Sequence, residues 1–213
     1  ETAEMPGIVP EGIIELSGFC IGCAEKRDLI DPTSVAVGDV LVGYQSDSIH
    51  ANGWSLVRRV IRDAGGRIDP EHLQAWLKPT RLYHDVVRDL KTAGVRPKAM
   101  SHITGGGLPE NLERLFRGMG ADLEIPKWTM PGAEQLLSYV DSKDRFHTFN
   151  MGIGWVAIVD ANDVPRALHG EWRSTHAAYR DRRLSFSGTH LGIALQPYAA
   201  PTLYRIREVR TTA

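Results

Sequence analysis

Residues 98–116, "KAMSHITGGGLPENLERLF", constrain the fold more than any other stretch of this chain. A short apolar run ends in three glycines. Leu108, Leu112, Leu115 and Phe116 then recur at i, i+4, i+7 and i+8, the spacing of one helix face. Strand patterning that passes directly into an amphipathic helix argues for helices packed on a sheet, an α+β arrangement, rather than for strands or helices alone.

The rest of the chain repeats that alternation without a fixed period. "IIELSGFCIGCAEK" (13–26) carries β-branched and aromatic residues with too many glycines for a helix, and reads as a long strand. "VLVGYQS" (40–46) reads as a second, buried strand. In residues 52–66, Trp54, Leu56, Val57, Val60 and Ile61 form an apolar stripe opposite Arg58, Arg59, Arg62 and Asp63, and Gly65 closes the helix. A second helix is expected over 79–94, from Pro79 through Leu82, Val86 and Leu90 to Gly94. Strands are expected at 98–103, 121–126, 148–159, 190–196 and 203–209, and helices from Leu108, over 131–140 and from Asp163. Residues 169–188 show no periodicity and read as an irregular, solvated loop. One α+β domain with helices on a mixed sheet accounts for all of this, and it spans residues 1–213.

Charge and composition exclude several classes. Of 213 residues, 25 are Lys or Arg and 26 are Asp or Glu, so no global field recruits nucleic acid or an anionic membrane, and an anion site must be local. No apolar run reaches the ~20 residues of a membrane span, so a soluble, cytoplasmic protein is expected. Cys20 and Cys23 have the spacing of half a zinc site without a second pair, and are expected to be buried thiols in a reducing compartment. The opening "ETAEMPG" resembles an internal loop, which points to a fragment whose N-terminal part is missing.

Several residues are candidates for chemistry. Thr104, Gly105, Gly106 and Gly107 lie where free N–H groups and the helix dipole favour a phosphate, although a flexible connection explains the glycines equally well. His50 lies at another strand-to-helix junction and titrates near neutrality, so it can act as a general acid or base, hydrogen-bond a phosphate, or be structural. Asn52 is a candidate helix cap. Glu1 and Glu4 have oxygen ligands suited to Mg²⁺, and two solvated carboxylates are the competing reading. Asn150, with Gly152 and Gly154, marks either a close approach to a ligand or a strand bulge.

Taken in order, "ETAEMPG", "SGFCIGCAEK", "GDVLVGYQS", "IHANGWSLVRR", "KPTRLY", "HITGGGLPENLER" and "TFNMGIG" resemble the C-terminal half of the aminoimidazole ribonucleotide synthetase family, the phosphoribosylformylglycinamidine cyclo-ligases. The resemblance implies a partly ferredoxin-like C-terminal domain, a missing N-terminal ATP-binding domain and a homodimer. It also implies ATP-dependent cyclisation of formylglycinamidine ribonucleotide with Mg²⁺. Under it, Glu1, Thr2 and Glu4 become candidates for ATP, with Glu1 and Glu4 for Mg²⁺. His50 becomes a catalytic candidate, with Asn52, Thr104, Gly105, Gly106, Gly107 and Asn150 on the substrate. Asp47 and Ser48 depart from the family's usual Ser-Gly, and Trp54 replaces its Tyr. Those departures leave two alternatives, a divergent paralogue acting on another amide or acyl substrate, or a non-catalytic binding domain of the same fold.

Overall fold

The computed structural model describes residues 10, 12–14, 18–116, 120–125, 128, 130–168, 182–187, 190–194 and 203–207. Strands β1 (Val40–Gln45), β2 (Ala99–His102), β3 (Gly120–Ile125), β4 (Ile153–Val159), β5 (Arg182–Ser187), β6 (His190–Ala194) and β7 (Leu203–Arg207) form one sheet in the order β2-β4-β1-β7-β3-β5-β6. The helices are α1 (Trp54–Ala64), α2 (Pro70–Trp76), α3 (His84–Thr92), α4 (Gly107–Phe116), α5 (Ala133–Ser138), α6 (Ser142–Thr148) and α7 (Val164–Ala167). The α+β class holds. The sheet is not mixed, however, since each described pairing is antiparallel.

Both faces of β1 and β4 are buried, which explains why these strands read as continuous apolar runs instead of alternating ones. Leu41, Ile153, Val156 and Ile158 join one core with Val57, Val60, Trp76, Leu108, Leu112, Leu136 and Phe146 from α1, α2, α4, α5 and α6. Val40, Val42, Tyr44, Ala157 and Val159 join a second core with Val86 and Leu90 of α3 and Val164 of α7. Val57 and Val60 turn inward while Arg58, Arg59 and Arg62 stay exposed, and Gly65 ends α1 at φ 58°, a left-handed conformation suited to glycine.

Further expectations are corrected. Residues 13–26 do not form a strand where they are described. Ile14, Phe19 and Ile21 are 85%, 92% and 85% exposed, and no neighbouring strand is present among the described residues to receive the backbone bonds that a strand needs. Cys20 and Cys23, in the same stretch, are exposed rather than buried. The helix expected from Pro79 begins only at His84, because Ser48 Oγ donates to Lys78 O at 3.0 Å and the Tyr83 hydroxyl donates to Gln45 O at 2.8 Å. These tertiary bonds keep 78–83 out of the helix, and Leu82 is left exposed. Finally, the loop expected over 169–188 contains β5, which pairs with β3 and β6. Residues 148–152 are also not part of β4, and the short helices α2 and α6 carried too few turns to show a clear period.

Candidate functional site

β1 and β2 end, and the antiparallel β4 begins, at the same end of the sheet, so three connections gather there. The pairing of β1 with β4 shifts register between Tyr44 and Gln45, which pair with Trp155 and Ile153. The skipped residue is Gly154, so the bulge reading is correct. It also has a steric purpose, since a Cβ on Gly154 would meet the Tyr83 hydroxyl and lie 2.6 Å from His50 Cε1.

His50 sits in the 46–53 connection with φ 59°, a left-handed backbone that a non-glycine residue adopts only when its surroundings hold it there. Those surroundings are visible. His50 N–H donates to Ser48 Oγ at 3.1 Å, Trp54 Nε1 donates to His50 O at 2.9 Å, and Asn150 Nδ2 donates to Ser48 O at 3.0 Å. Asn150 Oδ1 accepts from Ser46 Oγ at 2.8 Å and from Gly152 N–H at 2.9 Å. The amide of Asn150 is thus engaged inside the protein, where it ties the His50 connection to the start of β4. Asn52 is half-buried and is not the helix cap expected of it. Gly53 takes that position at φ 78°, because a Cβ there would stand 2.7 Å from the Phe149 ring.

The His50 ring is 3% exposed, and neither Nδ1 nor Nε2 has a hydrogen-bond partner among the described residues. Burial first, then the nearby His102 and Arg81, lower its pKa to about 4 against the opposing effect of Asp47. The imidazole is therefore neutral at pH 7. His102, Tyr83 and Trp155 complete a ring cluster. The His50–His102 centroid distance is 6.0 Å, His50–Tyr83 is 6.1 Å, and Tyr83 stacks on Trp155 at 5.7 Å. Burial also lowers the His102 pKa and pushes the Tyr83 hydroxyl up. At the rim, Arg81 Nη1 bonds Asp47 Oδ1 at 3.1 Å.

The glycine connection leaves β2 directly after His102. Asn111, 1% exposed on α4, donates through Nδ2 to the carbonyls of Gly107 at 2.7 Å, Gly105 at 3.0 Å and Thr104 at 3.4 Å. Drawing these oxygens beneath the loop leaves Gly105 at the surface, where a Cβ would meet nothing within 4 Å. The glycines differ in purpose. Gly106 and Gly107 have φ 86° and 58°, and a Cβ on Gly107 would collide with Phe146 O. Packing therefore requires Gly107, whereas Gly105 alone lies open. Sequence reasoning missed His102, Tyr83 and Asn111. Asn111 had a readable signal in its place one helical turn after Gly107. Glu1, Thr2 and Glu4 lie outside the described residues.

Fold and site together define an α+β domain in which a buried histidine and an exposed glycine turn share one end of an antiparallel sheet. The chain belongs to the AIR synthase related protein, C-terminal domain family, whose model matches residues 36–174. It is 40% identical over 190 residues to a phosphoribosylformylglycinamidine cyclo-ligase of a Synechococcus species, covering 84% of this chain and 55% of that protein. It is 41% identical over 180 residues to the protein of the same name from Caldanaerobacter subterraneus subsp. tengcongensis, covering 79% and 53%. For that of Thermosynechococcus vestitus the identity is 41% over 177 residues, covering 78% and 52%. The chain spans about half the length of these relatives.

Proposed function

We propose that the protein closes the imidazole ring of aminoimidazole ribonucleotide from formylglycinamidine ribonucleotide, an ATP-dependent ligase step of purine synthesis. In this reading residues 1–213 supply the C-terminal domain beside an N-terminal ATP-binding domain, in a cytoplasmic homodimer. The observation that carries the reading is His50. It lies within the stretch that matches the cyclo-ligases, and its two buried ring nitrogens have no partner among the described residues. Buried polar atoms are rarely left unpaired, so a site that pre-positions a neutral imidazole is equipped for a bound group.

The division of labour follows from the two connections. Residues 104–107 present backbone at the start of α4, where the dipole favours the substrate's phosphate, and Asn111 fixes their shape. Asn52 borders the substrate, and Asn150 acts by holding the His50 connection. His50, neutral at pH 7, takes up a proton from the amidine nitrogen as the ring forms. ATP with Mg²⁺ activates the formyl oxygen when bound. Its proposed ligands, Glu1, Thr2 and Glu4, lie outside the described residues, so no step is assigned to them.

The test is ADP release and imidazole formation by the full-length protein with formylglycinamidine ribonucleotide and Mg-ATP. Native protein is expected to turn over, and His50→Asn to lose about 100-fold or more in kcat with a smaller change in KM. Turnover of a different amide, with none of this substrate, overturns the reading in favour of a divergent paralogue. Ligand binding without any turnover favours a binding domain.

A further inference from the structure

Three buried nitrogens without a hydrogen-bond partner among the described residues lie on two neighbouring rings: Nδ1 and Nε2 of His50, and Nε2 of His102. We infer that His102 is a second substrate-contacting residue, and that the His50–His102 pair receives a planar amide-like or amidine group. The inference deepens the proposed function and rests on the same site.

The two histidines arrive from different elements. His50 comes from the connection after β1, and His102 is the last residue of β2, in register with Trp155 of β4. Their centroids are 6.0 Å apart with the planes inclined at 52°, and no hydrogen bond joins them. Tyr83 does not complete either ring. Its centroid is 5.8 Å from that of His102, but its hydroxyl donates to Gln45 O. The adjoining Trp155 ring, 5.9 Å from His102, also holds a buried N–H without a partner among the described residues.

The chemistry of the ligand follows from what these groups offer. A neutral imidazole presents one donor and one acceptor, so two such rings present both kinds side by side. A phosphate would favour protonated rings, which burial opposes at both histidines. The charged and titratable groups around the pair are Asp47, Arg81 and Tyr83. Asp47 and Arg81 bond one another, and the Tyr83 hydroxyl is held protonated by burial. No net charge is therefore aimed at the rings by these groups. An uncharged flat unit with N–H donors and an acceptor, an amide or the free-base form of an amidine, matches such a site, and the word "glycinamidine" in the relatives' name describes a substrate that carries an amidine.

Imidazole ¹⁵N resonances of the full-length protein, titrated at pH 7 with acetamide, which is neutral, and with acetamidinium, its cationic counterpart, test this without requiring turnover. His50 and His102 signals are expected to move together with at least one probe, and His102→Phe, which keeps a ring and removes both nitrogens, is expected to weaken binding at least about 5-fold. Movement at His50 alone, no movement with either probe, or unchanged affinity in His102→Phe overturns the inference. His102→Gln, which restores a donor and an acceptor, is expected to recover part of the affinity, and thermal melts identify any variant that fails to fold. If native protein binds the probe through both rings but does not cyclise formylglycinamidine ribonucleotide, the proposed function fails while the pair's role stands.

Discussion

The two connections that leave one end of the sheet solve opposite problems. The 46–53 connection buries a side chain and holds it from several directions, with Trp54, Ser48 and Asn150 fixing a left-handed His50. The 104–107 connection brings no large side chain to the surface and is held from beneath by one residue, Asn111. A positioned imidazole needs a rigid pocket, whereas an anion cradle needs exposed backbone whose carbonyls are occupied elsewhere. The same sheet end carries both connections because β1 and β2 finish on either side of the start of β4.

Within the 104–107 connection, a methyl group has opposite consequences at Gly107 and at Gly105. At Gly107 it would strike Phe146 O, and φ 58° is strained for alanine, so relief requires α4 and α6 to separate. Gly107→Ala is expected to cost about 3 kcal/mol or more, measured by chemical denaturation. Gly105→Ala, with open space and an ordinary φ, is expected to change stability by less than about 1 kcal/mol. Equal losses at the two positions would show that the glycines are not divided between packing and exposure.

Acid separates the connections in a second way. The folded-state pKa of His50 is lowered to about 4, below its ordinary 6.5, so the unfolded chain binds the proton more readily. The stability this gives is present above about pH 6.5 and is lost as pH falls toward the folded value. Unfolding free energy is expected to drop by about 2 kcal/mol between pH 7 and pH 5 on account of this group. His50→Gln should remove that slope, while Asn111→Ala should leave it unchanged although it weakens the fold.

How far the sequence reveals this architecture depends on which forces decide each part. β1 and β2 are legible as short apolar runs and α1 and α4 because burial imposes a period of 3.6 on their residues, and Gly65 marks the end of α1 by its conformation. Gly154 was readable as an unusual strand residue, but only tertiary contact shows that it makes room for His50 and Tyr83. Leu82, Val86 and Leu90 keep helical spacing, which predicts a helix through Tyr83. Long-range bonds to Gln45 and Lys78 override that local preference, and no spacing encodes them. His102 was hidden for the same reason, since a histidine inside a strand acquires its meaning from the rings it faces across the sheet end.

Trp54→Phe probes the His50 connection more gently. It keeps most of the apolar ring and deletes the Nε1 donor that His50 O accepts from at 2.9 Å. The expected cost is about 1 kcal/mol by denaturation, the scale of one hydrogen bond. Because that bond helps to hold His50 at φ 59°, the His50 ring signals should broaden or split in ¹⁵N spectra while the amides of residues 104–107 stay in place. Movement of both connections together would mean that they are one mechanical unit rather than two.

Asp47→Asn is expected to have the smallest effect, and it sharpens the distinction between rim and pocket. Asp47 and Arg81 form a pair at 3.1 Å in which the Asp47 side chain is 49% exposed, and solvent screening limits such pairs to well under about 1 kcal/mol. Stability should therefore barely move. The carboxylate does raise the His50 pKa against the stronger effects of burial and His102, so its removal should lower that pKa further. An imidazole titration of Asp47→Asn that shifts upward, or a large loss of stability, would place Asp47 within the pocket's structural frame instead of at its rim.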